Sequence, residues 1–498
     1  MTIKVFNRLT RKLEEFTPFE NNKARMYVCG LTVQDFAHIG HARTYVAFDV
    51  IKRYLEFRGY HVFHVQNTTD VEDKIIARAH ELGADPLKLA SRYTMEAQKD
   101  LDAMGIKRAD AYPRVTEHMD DIIRMVKKLI DDGYAYRIDR DVYFSVDKFP
   151  DYGSLSHQSP KDVQAGARVE VDKRKRNPVD FALWKSAKKG ELSFDSPWGP
   201  GRPGWHIECS AMAMKYLGER LEIHGGGTDL IFPHHENEIA QSEAATGKKP
   251  FVKYWLHTGL LNINGEKMSK SLGNFITVKD LLKKWDPDAF RLYIISTHYS
   301  TPIEFSEDAL EQAQKNLIKI RNTADELERK LATSQGMEQA EYDDAGETRE
   351  AEDAQTYGTE VVKIERAFIE AMDYDFNSPQ ALVAFQELVK LGNRALGERA
   401  SRGALELIHN TLKRLASVFG LSVTNGKTLK KLELPKEVAD LIKEREDARA
   451  KRNWNRADEI REQLRRVGVE VEDTAEGTHW KYAKQPQDDE SHNGEMQS

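Results

Sequence analysis

Three things are scarce in this sequence: cysteine, long apolar runs and an excess of one charge. Only Cys29 and Cys209 carry thiols among 498 residues, which excludes a disulfide framework and fits a reducing compartment. No stretch approaches the roughly 18 consecutive apolar residues of a membrane-spanning helix. The net charge of −7 offers nucleic acid no bulk attraction, so any surface that binds it must be local. We expect a cytoplasmic protein with no membrane segment.

The composition that remains is that of a folded protein with more than one core. Hydrophobic residues make up 40% and charged residues 31% of the chain, which suffices to bury several cores beneath a charged surface. A chain of 498 residues also exceeds what one core usually organises. The sequence therefore predicts a multidomain protein.

Apolar patterns of strand and helix alternate in two separate stretches. The first begins with the apolar run at residues 26–30, continues with helical periodicity over residues 38–58 and reaches another strand pattern at residues 61–67. The rhythm breaks after about residue 115 and returns between residues 205 and 275. We predict an α/β fold: a Rossmann-like parallel-sheet domain split by a connective insertion, then a helical bundle and a small α+β C-terminal domain.

Changes in composition set the predicted boundaries. The sheet domain occupies residues 1–114 and 204–275, the insertion 115–203, the bundle 276–425, the C-terminal domain 426–484 and a disordered tail 485–498. Residues 334–357 are rich in acidic and small residues. We predict that they form a mobile acidic loop within the bundle, because they cannot bury enough apolar surface.

The tetrapeptide His38-Ile39-Gly40-His41 stands where a strand pattern has ended and a helix pattern begins. The N-terminus of a helix offers phosphate free backbone N–H groups and the positive end of the dipole. Two imidazoles can stabilise charge on a transferring phosphoryl oxygen, and Gly40 lets a nucleotide approach the backbone. On its own, such a tetrapeptide more often marks an ordinary helix start.

A second motif, Lys267-Met268-Ser269-Lys270-Ser271, follows an apolar strand pattern far downstream. Lysines on a flexible loop can close over a triphosphate and stabilise the departing pyrophosphate. Alone, this pentapeptide is more often an exposed turn. Chance rarely places both motifs in this order, each at the end of an α/β strand.

These two motifs resemble, without a substitution, the defining pair of the class I aminoacyl-tRNA synthetases. The resemblance implies an enzyme that joins an amino acid to the α-phosphate of ATP, with Mg²⁺, and releases pyrophosphate. Such an enzyme then esterifies the terminal adenosine of a tRNA. By the same resemblance, His38, Gly40 and His41 bind ATP and support adenylation, and Lys267 and Lys270 support the pyrophosphate, with Lys270 contacting ATP.

The two thiols stand one in each half of the predicted sheet domain. Cys29 ends the first strand pattern, and Cys209 follows Trp205 at the start of the second half. In the segment Pro-His-His-Glu-Asn-Glu at residues 233–238, His234 and Glu238 are four positions apart and share a helix face. Zinc accepts two thiolates, an imidazole and a carboxylate as ligands. Core cysteines beside a merely polar helix are the alternative.

With these segments the resemblance narrows to the cysteinyl-tRNA synthetases and runs over almost the whole chain. It rests on residues 26–30, 67–70, 204–210 and 232–238. It implies one Zn²⁺ per chain, held by Cys29, Cys209, His234 and Glu238.

Zinc would serve to select the substrate. Cysteine and serine differ by one atom, and a pocket that senses only shape separates such near-isosteres by about 10- to 200-fold. On zinc, cysteine can bind as a thiolate, whereas a serine hydroxyl resists deprotonation. No editing domain would then be needed. The substrate would either expand the coordination or displace a weak ligand such as Glu238.

The resemblance also implies a pocket for the amino acid. Its implied contacts are Asp229 for the ammonium group, Trp205 and His224 for the pocket floor, and Thr32 and Thr68.

Two of these residues also have simpler interpretations. Asp229 could cap a helix that is predicted to begin at Pro233, and Trp205 could be a core residue. Gln34 departs from the family pattern, in which tyrosine is common at this place, and that puts local details of the pocket in doubt.

The last long helical pattern, residues 442–466, interleaves basic and acidic residues, which is typical of a solvated, salt-bridged helix. Trp454 lies among these charges, and an exposed aromatic ring beside arginines can stack on an unpaired RNA base. The resemblance implies a domain that reads the anticodon of tRNA-Cys, through Arg449, Trp454, Asp458 and Asp473.

Two other functions fit parts of this pattern. The cysteine ligases of mycothiol biosynthesis resemble the catalytic half, zinc included, but lack a terminal anticodon-type domain, so residues 430–482 count against them. A non-catalytic RNA-binding paralogue would keep the fold without the chemistry. The intact motifs at residues 38–41 and 267–271 count against it. The family resemblance also implies a monomer.

Overall fold

The computed structural model describes residues 2–158, 173–188, 191–263, 265–268, 274–334, 344–423, 436–466, 469–474 and 477–482. The chain divides into two compact units, Met1–Thr424 and Asn425–Ser498. Across these described ranges, no helix is long and apolar enough to cross a membrane.

The first unit begins with a hairpin and a βαβ unit. Its elements in order are β1 (Lys4–Asn7), β2 (Lys12–Glu15), β3 (Lys23–Thr32), α1 (Ile39–Phe57), β4 (His61–Thr69), α2 (Asp73–Glu81) and α3 (Pro86–Ala103). β3 and β4 pair in parallel, as the alternation of strand and helix patterns predicts.

A separate antiparallel sheet follows, within the predicted insertion. Helix α4 (Met119–Asp131) precedes β5 (Ala135–Ile138), β6 (Asp141–Phe144), β7 (Phe181–Ser186) and β8 (Gly201–Pro203). These strands pair in the order β5-β6-β7-β8, so none of the strands described within the insertion joins the parallel sheet.

The second half then returns to the parallel sheet. It contains α5 (Ile207–Leu217), β9 (Leu221–Gly227), α6 (Glu236–Thr246) and β10 (Val252–Thr258). The four parallel strands lie in the order β10-β9-β3-β4. The first parallel strands of the two halves, β3 and β9, are therefore neighbours at the centre of the sheet. In parallel α/β sheets, ligands bind beyond the carboxyl ends of the strands, where the strand order reverses.

β3 separates two hydrophobic cores because successive side chains of a strand point to opposite faces. Met26 and Val28 pack in one core, and Tyr27 and Cys29 pack in the other. The core that contains Cys29 is shared with the helix that contains Cys209. The strand pattern alone thus brings the two thiols to one face of the sheet.

The lysine-containing motif at residues 267–271 begins in a three-stranded sheet. This sheet consists of β11 (Leu261–Ile263), β12 (Glu266–Lys267) and β13 (Ile303–Glu304), and β11 lies in the middle. Two helices, α7 (Val278–Lys284) and α8 (Pro287–Ile295), lie between β12 and β13 in sequence.

The bundle of the first unit contains α9 (Glu307–Ser334), α10 (Asp344–Asp373), α11 (Ser378–Gly397) and α12 (Arg402–Phe419). The prediction of a mobile loop over residues 334–357 is wrong from Asp344 onward, because α10 begins there. Tyr357 is buried in the bundle core, and its hydroxyl donates a hydrogen bond to Glu398. Burial against the other helices of the bundle thus stabilises a helix in a segment that has few apolar residues of its own.

The second unit contains α13 (Lys436–Ala450), α14 (Trp454–Arg466) and a hairpin of β14 (Val469–Thr474) with β15 (Gly477–Tyr482). The single helix that we predict over residues 442–466 is wrong, because the chain turns at Arg452, where φ is +57°. Ile442, Ile460, Leu464 and Val471 form a small core. The predicted disordered tail, residues 485–498, lies outside the described residues.

Candidate active site and metal centre

His38 caps the N-terminus of α1, and the tetrapeptide that it begins closes on itself. Nδ1 of His38 accepts a hydrogen bond from the backbone N–H of His41, and Nδ1 of His41 accepts one from the N–H of His38, each at 3.3 Å. The two rings stack with their centroids 3.5 Å apart. This reciprocal cap starts the helix at Ile39, as predicted. Both imidazoles are held at a helix N-terminus, which is a favourable place for a phosphate.

The second motif packs on this tetrapeptide. The methyl carbon of Met268 lies 3.4 Å from the place that a Cβ on Gly40 would occupy. The Sδ atom of Met268 accepts a hydrogen bond from the N–H of Ile276 at 3.3 Å, which joins the two flanks of the lysine-containing loop. The motifs are far apart in sequence but adjacent in the fold. Lys270 and the side chain of Lys267 lie outside the described residues.

Four buried side chains converge at the carboxyl end of β3. Cys29 lies in β3, Cys209 in the first turn of α5, His234 in a single π-helical turn before α6, and Glu238 in α6. Their candidate ligand atoms all lie within 4.8 Å of one another. The two sulfur atoms are 4.0 Å apart, and Oε1 of Glu238 is 3.8 Å from Sγ of Cys29 and 3.1 Å from Nε2 of His234.

Neighbouring histidines hold these side chains in place, as the outer hydrogen-bond partners of metal ligands do. Nδ1 of His234 is 2.9 Å from Nδ1 of His206, which leaves Nε2 directed to Glu238. The second carboxylate oxygen of Glu238 is 2.9 Å from Nε2 of His224. Outer contacts of this kind fix the ring of a ligating histidine and hold a ligating carboxylate. Two sulfurs, one nitrogen and one oxygen in this arrangement suit zinc.

A second group of candidate ligands overlaps the first. Cys29, His224, His235 and Glu238 also place one ligand atom each within 4.8 Å of the others. Nε2 of His235 lies 3.3 Å from Sγ of Cys29. Sequence reasoning assigned no role to His235, although the segment at residues 233–238 shows two adjacent histidines. Both rings are buried and both face Glu238, but Nε2 of His234 is 3.1 Å from Oε1 of Glu238 and Nε2 of His235 is 4.0 Å from it.

Charge interactions within the cluster are strong because every member is buried. The hydrogen bond from Cys29 lowers the pKa of Cys209 to about 6, although burial opposes the shift. Burial would lower the pKa of His234, but Cys209 and Glu238 raise it to about 10. Burial would raise the pKa of Glu238, but His224 and His234 lower it to about 2. Burial raises the pKa of the Cys29 thiol. The cluster thus pairs two anionic groups, Cys209 and Glu238, with a protonated His234, and a metal ion bound there would take the place of that proton.

Trp205 borders the cluster on one side. Its ring packs on that of His234 with centroids 4.4 Å apart, and the Nζ atom of Lys74 lies 5.9 Å from the Trp205 ring centroid. Trp205 is only partly buried, so its interpretation as a core residue is not supported. His224 is fully buried beneath Glu238, and its ring stacks on Trp255 with centroids 4.6 Å apart.

The remaining predicted pocket residues occupy strand ends and the turn after β9. Thr32 is the last residue of β3, and Thr68 is buried near the end of β4. Asp229 is exposed in the short helix Thr228–Leu230, and its Oδ1 atom lies 2.5 Å from the place that a Cβ on Gly227 would occupy. Glycine at that position therefore lets the Asp229 carboxylate approach the end of β9.

The interpretation of Asp229 as a cap for a helix at Pro233 is wrong. The chain at Phe232 is extended, with φ −134° and ψ 133°, and the regular helix begins only at Glu236. Within the described residues, neither the π-helical turn Ile231–His235 nor α6 has a side-chain cap. A cis peptide bond joins Phe232 to Pro233. This turn directs both His234 and His235 toward Glu238.

The candidate anticodon residues lie in the second unit. Trp454 is 55% exposed at the start of α14, and the guanidinium carbon of Arg449 lies 5.6 Å from its ring centroid. Asp458 is exposed one helical turn after Trp454, on the same face. Asp473 lies in β14, and its side chain is outside the described residues. Trp454 and Arg449 thus form a stacking surface that water can reach.

Comparison with known families covers most of the chain. Residues 15–315 match the family described as tRNA synthetases class I (C) catalytic domain. Residues 367–424 match the DALR domain, and residues 432–480 match the cysteinyl-tRNA ligase anticodon binding domain. The three matches correspond to the sheet domain with its insertion, part of the bundle and the second unit.

Curated proteins similar to the chain are cysteine–tRNA ligases. That of Geobacillus thermodenitrificans (strain NG80-2) is 49% identical over 482 residues, which cover 96% of this chain and 99% of the relative. That of Thermococcus gammatolerans is 49% identical over 487 residues, which cover 97% of this chain and 100% of the relative. The similarity therefore extends over the whole length of these relatives.

Solved structures of other synthetases share the fold. Methionyl-tRNA synthetase of Mycobacterium tuberculosis, in complex with methionyl-adenylate, has a TM-score of 0.58 at 17% identity, covering 80% of this chain and 89% of that one. The leucyl enzyme of Agrobacterium radiobacter, in a ternary complex with tRNA, has a TM-score of 0.56 at 12% identity, covering 82% of this chain and 85% of that one.

Proposed function

The chain belongs to the cysteine–tRNA ligases, a family of class I aminoacyl-tRNA synthetases, and we propose that it charges tRNA-Cys with cysteine. L-cysteine reacts with ATP to give cysteinyl adenylate and pyrophosphate, and the cysteinyl group then passes to the 3′ terminal adenosine of tRNA-Cys. One observation carries this proposal. The thiol-containing cluster lies at the end of β3, and in the same compact unit Met268 of the second motif contacts Gly40 of the first.

We propose that one Zn²⁺ per chain is held by Cys29, Cys209, His234 and Glu238. This set is preferred to the overlapping one because it contains both thiols, and because His206 and His224 orient His234 and Glu238 from outside. Bound zinc would accept the side chain of cysteine as a thiolate and would reject the hydroxyl of serine, which resists deprotonation.

The side chains around the metal would recognise the rest of the amino acid. The carboxylate of Asp229 is exposed at the carboxyl end of β9, where it can pair with the substrate ammonium group. Trp205 and His224 enclose the metal ligands from two sides. Thr32 and Thr68 stand at the ends of β3 and β4 and can donate hydrogen bonds to the carboxylate of the substrate.

His38, Gly40 and His41 would receive the phosphates of ATP at the N-terminus of α1. The close contact of Met268 with Gly40 supports a role for Lys267 and Lys270 in the same step, because it anchors their loop beside the tetrapeptide. Two lysines there can neutralise the charge on the departing pyrophosphate, together with Mg²⁺. The histidines and lysines would thus stabilise charge that develops only during the reaction.

The second unit would read the anticodon. An exposed tryptophan with an arginine against its ring, as at Trp454 and Arg449, can stack on an unpaired base. Asp458 and Asp473 would accept hydrogen bonds from base edges. We further propose a cytoplasmic location, since both cysteines are free thiols of the proposed metal centre and a reducing compartment preserves them. The family resemblance supports a monomer.

A test must separate this function from its two rivals. The full chain is incubated with ATP and cysteine, and the cysteinyl adenylate is offered either tRNA-Cys or an amino sugar. Cysteine esterified to tRNA, in a form that mild alkali releases, supports the proposal. An alkali-stable amide on the sugar would identify the mycothiol-type ligase. Binding of tRNA without any adenylate would identify a non-catalytic RNA-binding protein.

A further inference from the structure

Tyr27 places a phenol against the candidate metal centre. It stands two residues before Cys29 in β3, so the two side chains leave the strand on the same face. The residue is completely buried. Its ring packs on that of His224, with centroids 5.0 Å apart, and His224 in turn holds Glu238. Tyr27 is thus in contact with the side chains that orient the proposed zinc ligands.

The hydroxyl of Tyr27 is buried but unsatisfied. Among the described residues it has no hydrogen-bond partner. Other buried phenols of the same domain have one: the hydroxyl of Tyr45 donates to the carbonyl of Cys29 at 3.2 Å, and that of Tyr254 donates to the carbonyl of Glu15 at 2.6 Å. A buried polar group without a partner costs stability and calls for an explanation.

Sulfur lies beside this phenol: Tyr27, Cys29 and Cys209 pack in the same buried core. Of the neighbouring groups, Cys209 acts more strongly on the Tyr27 hydroxyl than Cys29 or Glu238 does. A neutral phenol can act as a hydrogen-bond donor. A thiol is only a weak hydrogen-bond acceptor, whereas an ionised acceptor binds a donor about twice as strongly. Zinc binds cysteine as the thiolate, so in the loaded site the sulfur of Cys209 stays ionised and is a strong acceptor for this hydroxyl.

We propose, on the premise that the zinc centre of the proposed function exists, that Tyr27 is a positioning residue of that centre. Its hydroxyl donates a hydrogen bond to the Sγ atom of Cys209 in the zinc-loaded protein. This bond fixes the orientation of Cys209 and withdraws charge from its sulfur. The metal then remains electrophilic enough to take a further thiolate from the substrate.

The substitution Tyr27→Phe removes the hydroxyl and keeps the ring. Zinc affinity is measured on the full chain by competition with a chelator of known affinity. We expect Tyr27→Phe to weaken zinc binding by about 10-fold or more, as the loss of outer partners of metal ligands commonly does. The matched control is Tyr254→Phe, which removes the hydroxyl of another buried tyrosine in the parallel-sheet domain, one whose partners are Thr17 and Glu15. It should leave zinc affinity unchanged.

Two further readouts separate this role from ordinary packing. With Co²⁺ in place of zinc, the thiolate-to-cobalt charge-transfer bands should move to lower energy in Tyr27→Phe, because a sulfur without the hydrogen bond holds its electrons less tightly. In the presence of excess chelator, Tyr27→Phe should unfold at the same temperature as the unsubstituted chain or a higher one. A packing defect would lower that temperature and leave the cobalt bands in place.

The outcomes distinguish this inference from the proposal on which it rests. If the unsubstituted chain binds zinc, and Tyr27→Phe has the same zinc affinity and the same cobalt spectrum, the role of Tyr27 is refuted and the metal centre stands. If the unsubstituted chain binds no zinc at all, the metal centre is refuted and the role of Tyr27 falls with it.

Discussion

Asp49 and Arg291 form an ion pair with neither side chain exposed, in which Oδ2 and Nη1 are 2.6 Å apart. Asp49 lies in α1, the helix that begins with the tetrapeptide at residues 38–41, and Arg291 lies in α8. Arg291 also donates to the carbonyls of Met104 and Phe419. One buried guanidinium thus ties the helix of the proposed ATP site to α3 and to the bundle.

Replacing this guanidinium should be costly. We expect Arg291→Met to reduce the free energy of unfolding by about 3 kcal/mol, because it removes the fully buried partner of the Asp49 carboxylate and leaves only the partly exposed Arg53 to balance that charge. The double variant Asp49→Asn, Arg291→Met should lose less than the sum of the single losses. The measurement is denaturant unfolding of all three variants. Arg53→Met is the control, since Arg53 pairs with the same carboxylate but is partly exposed. An equal loss in the control would contradict the account.

Asp100 should make stability depend on pH. Burial raises the pKa of its carboxyl to about 6, and among the described residues Oδ2 has no hydrogen-bond partner. The folded state therefore holds this proton more tightly than the unfolded state, whose aspartate pKa is about 3.9. The cost of ionising Asp100 is absent near pH 4, grows as the pH rises toward 6, and is complete above it.

Asp100→Asn should remove that cost. We expect it to stabilise the chain by about 1 to 2 kcal/mol at pH 8 and to have little effect near pH 4, as measured by unfolding at both values. Asp102→Asn makes the same charge change at an exposed position of the same helix. It should give no such pH-dependent gain. A gain at pH 4 as large as that at pH 8 would exclude the burial of charge as the cause.

The adjacent histidines His234 and His235 separate the two overlapping ligand sets. We expect His234→Asn to weaken zinc binding by more than about 100-fold, since it removes a ligand, and His235→Asn to weaken it by no more than the loss of an outer contact, about 10-fold. Zinc per chain is measured after dialysis against a chelator. The reverse ranking would assign the ion to the set that contains His224 and His235.

Trp454 should matter for tRNA and not for adenylation. We expect Trp454→Ala to raise the KM for tRNA-Cys by about 10-fold, because one stacked base is lost, and to leave cysteine-dependent ATP–pyrophosphate exchange unchanged. Tyr374→Ala is the control, as Tyr374 is an equally exposed aromatic residue of the bundle. A loss of exchange activity in Trp454→Ala would show that the ring supports folding or catalysis instead.

The elements around β3 could be predicted from sequence because their patterns are local. The strand period of two places Tyr27 and Cys29 on one face, and the helix period of α1 follows a cap formed by His38 and His41 themselves. Where tertiary contacts decide, the predictions were wrong. Composition predicts a loop before Tyr357, yet the bundle buries that residue and extends the helix to Asp344.

The partners of the proposed metal ligands could not be predicted either, because tertiary contacts decide them. His206, His224 and His235 come from separate segments, and only the folded chain shows which ring reaches His234, which reaches Glu238 and which reaches Cys29. The sequence shows enough histidines, but it does not show how the segments that carry them are arranged in space. The unsatisfied hydroxyl of Tyr27 is likewise visible only once its surroundings are known.

The most direct test of the central claim is ATP–pyrophosphate exchange with cysteine and with serine on one preparation whose zinc is quantified. The account predicts about one zinc per chain, rapid exchange with cysteine, and exchange with serine slower by more than the roughly 200-fold that shape alone can provide. Exchange with neither amino acid, despite bound zinc, would contradict the assignment of an adenylation site to His38, His41 and the lysine-containing loop.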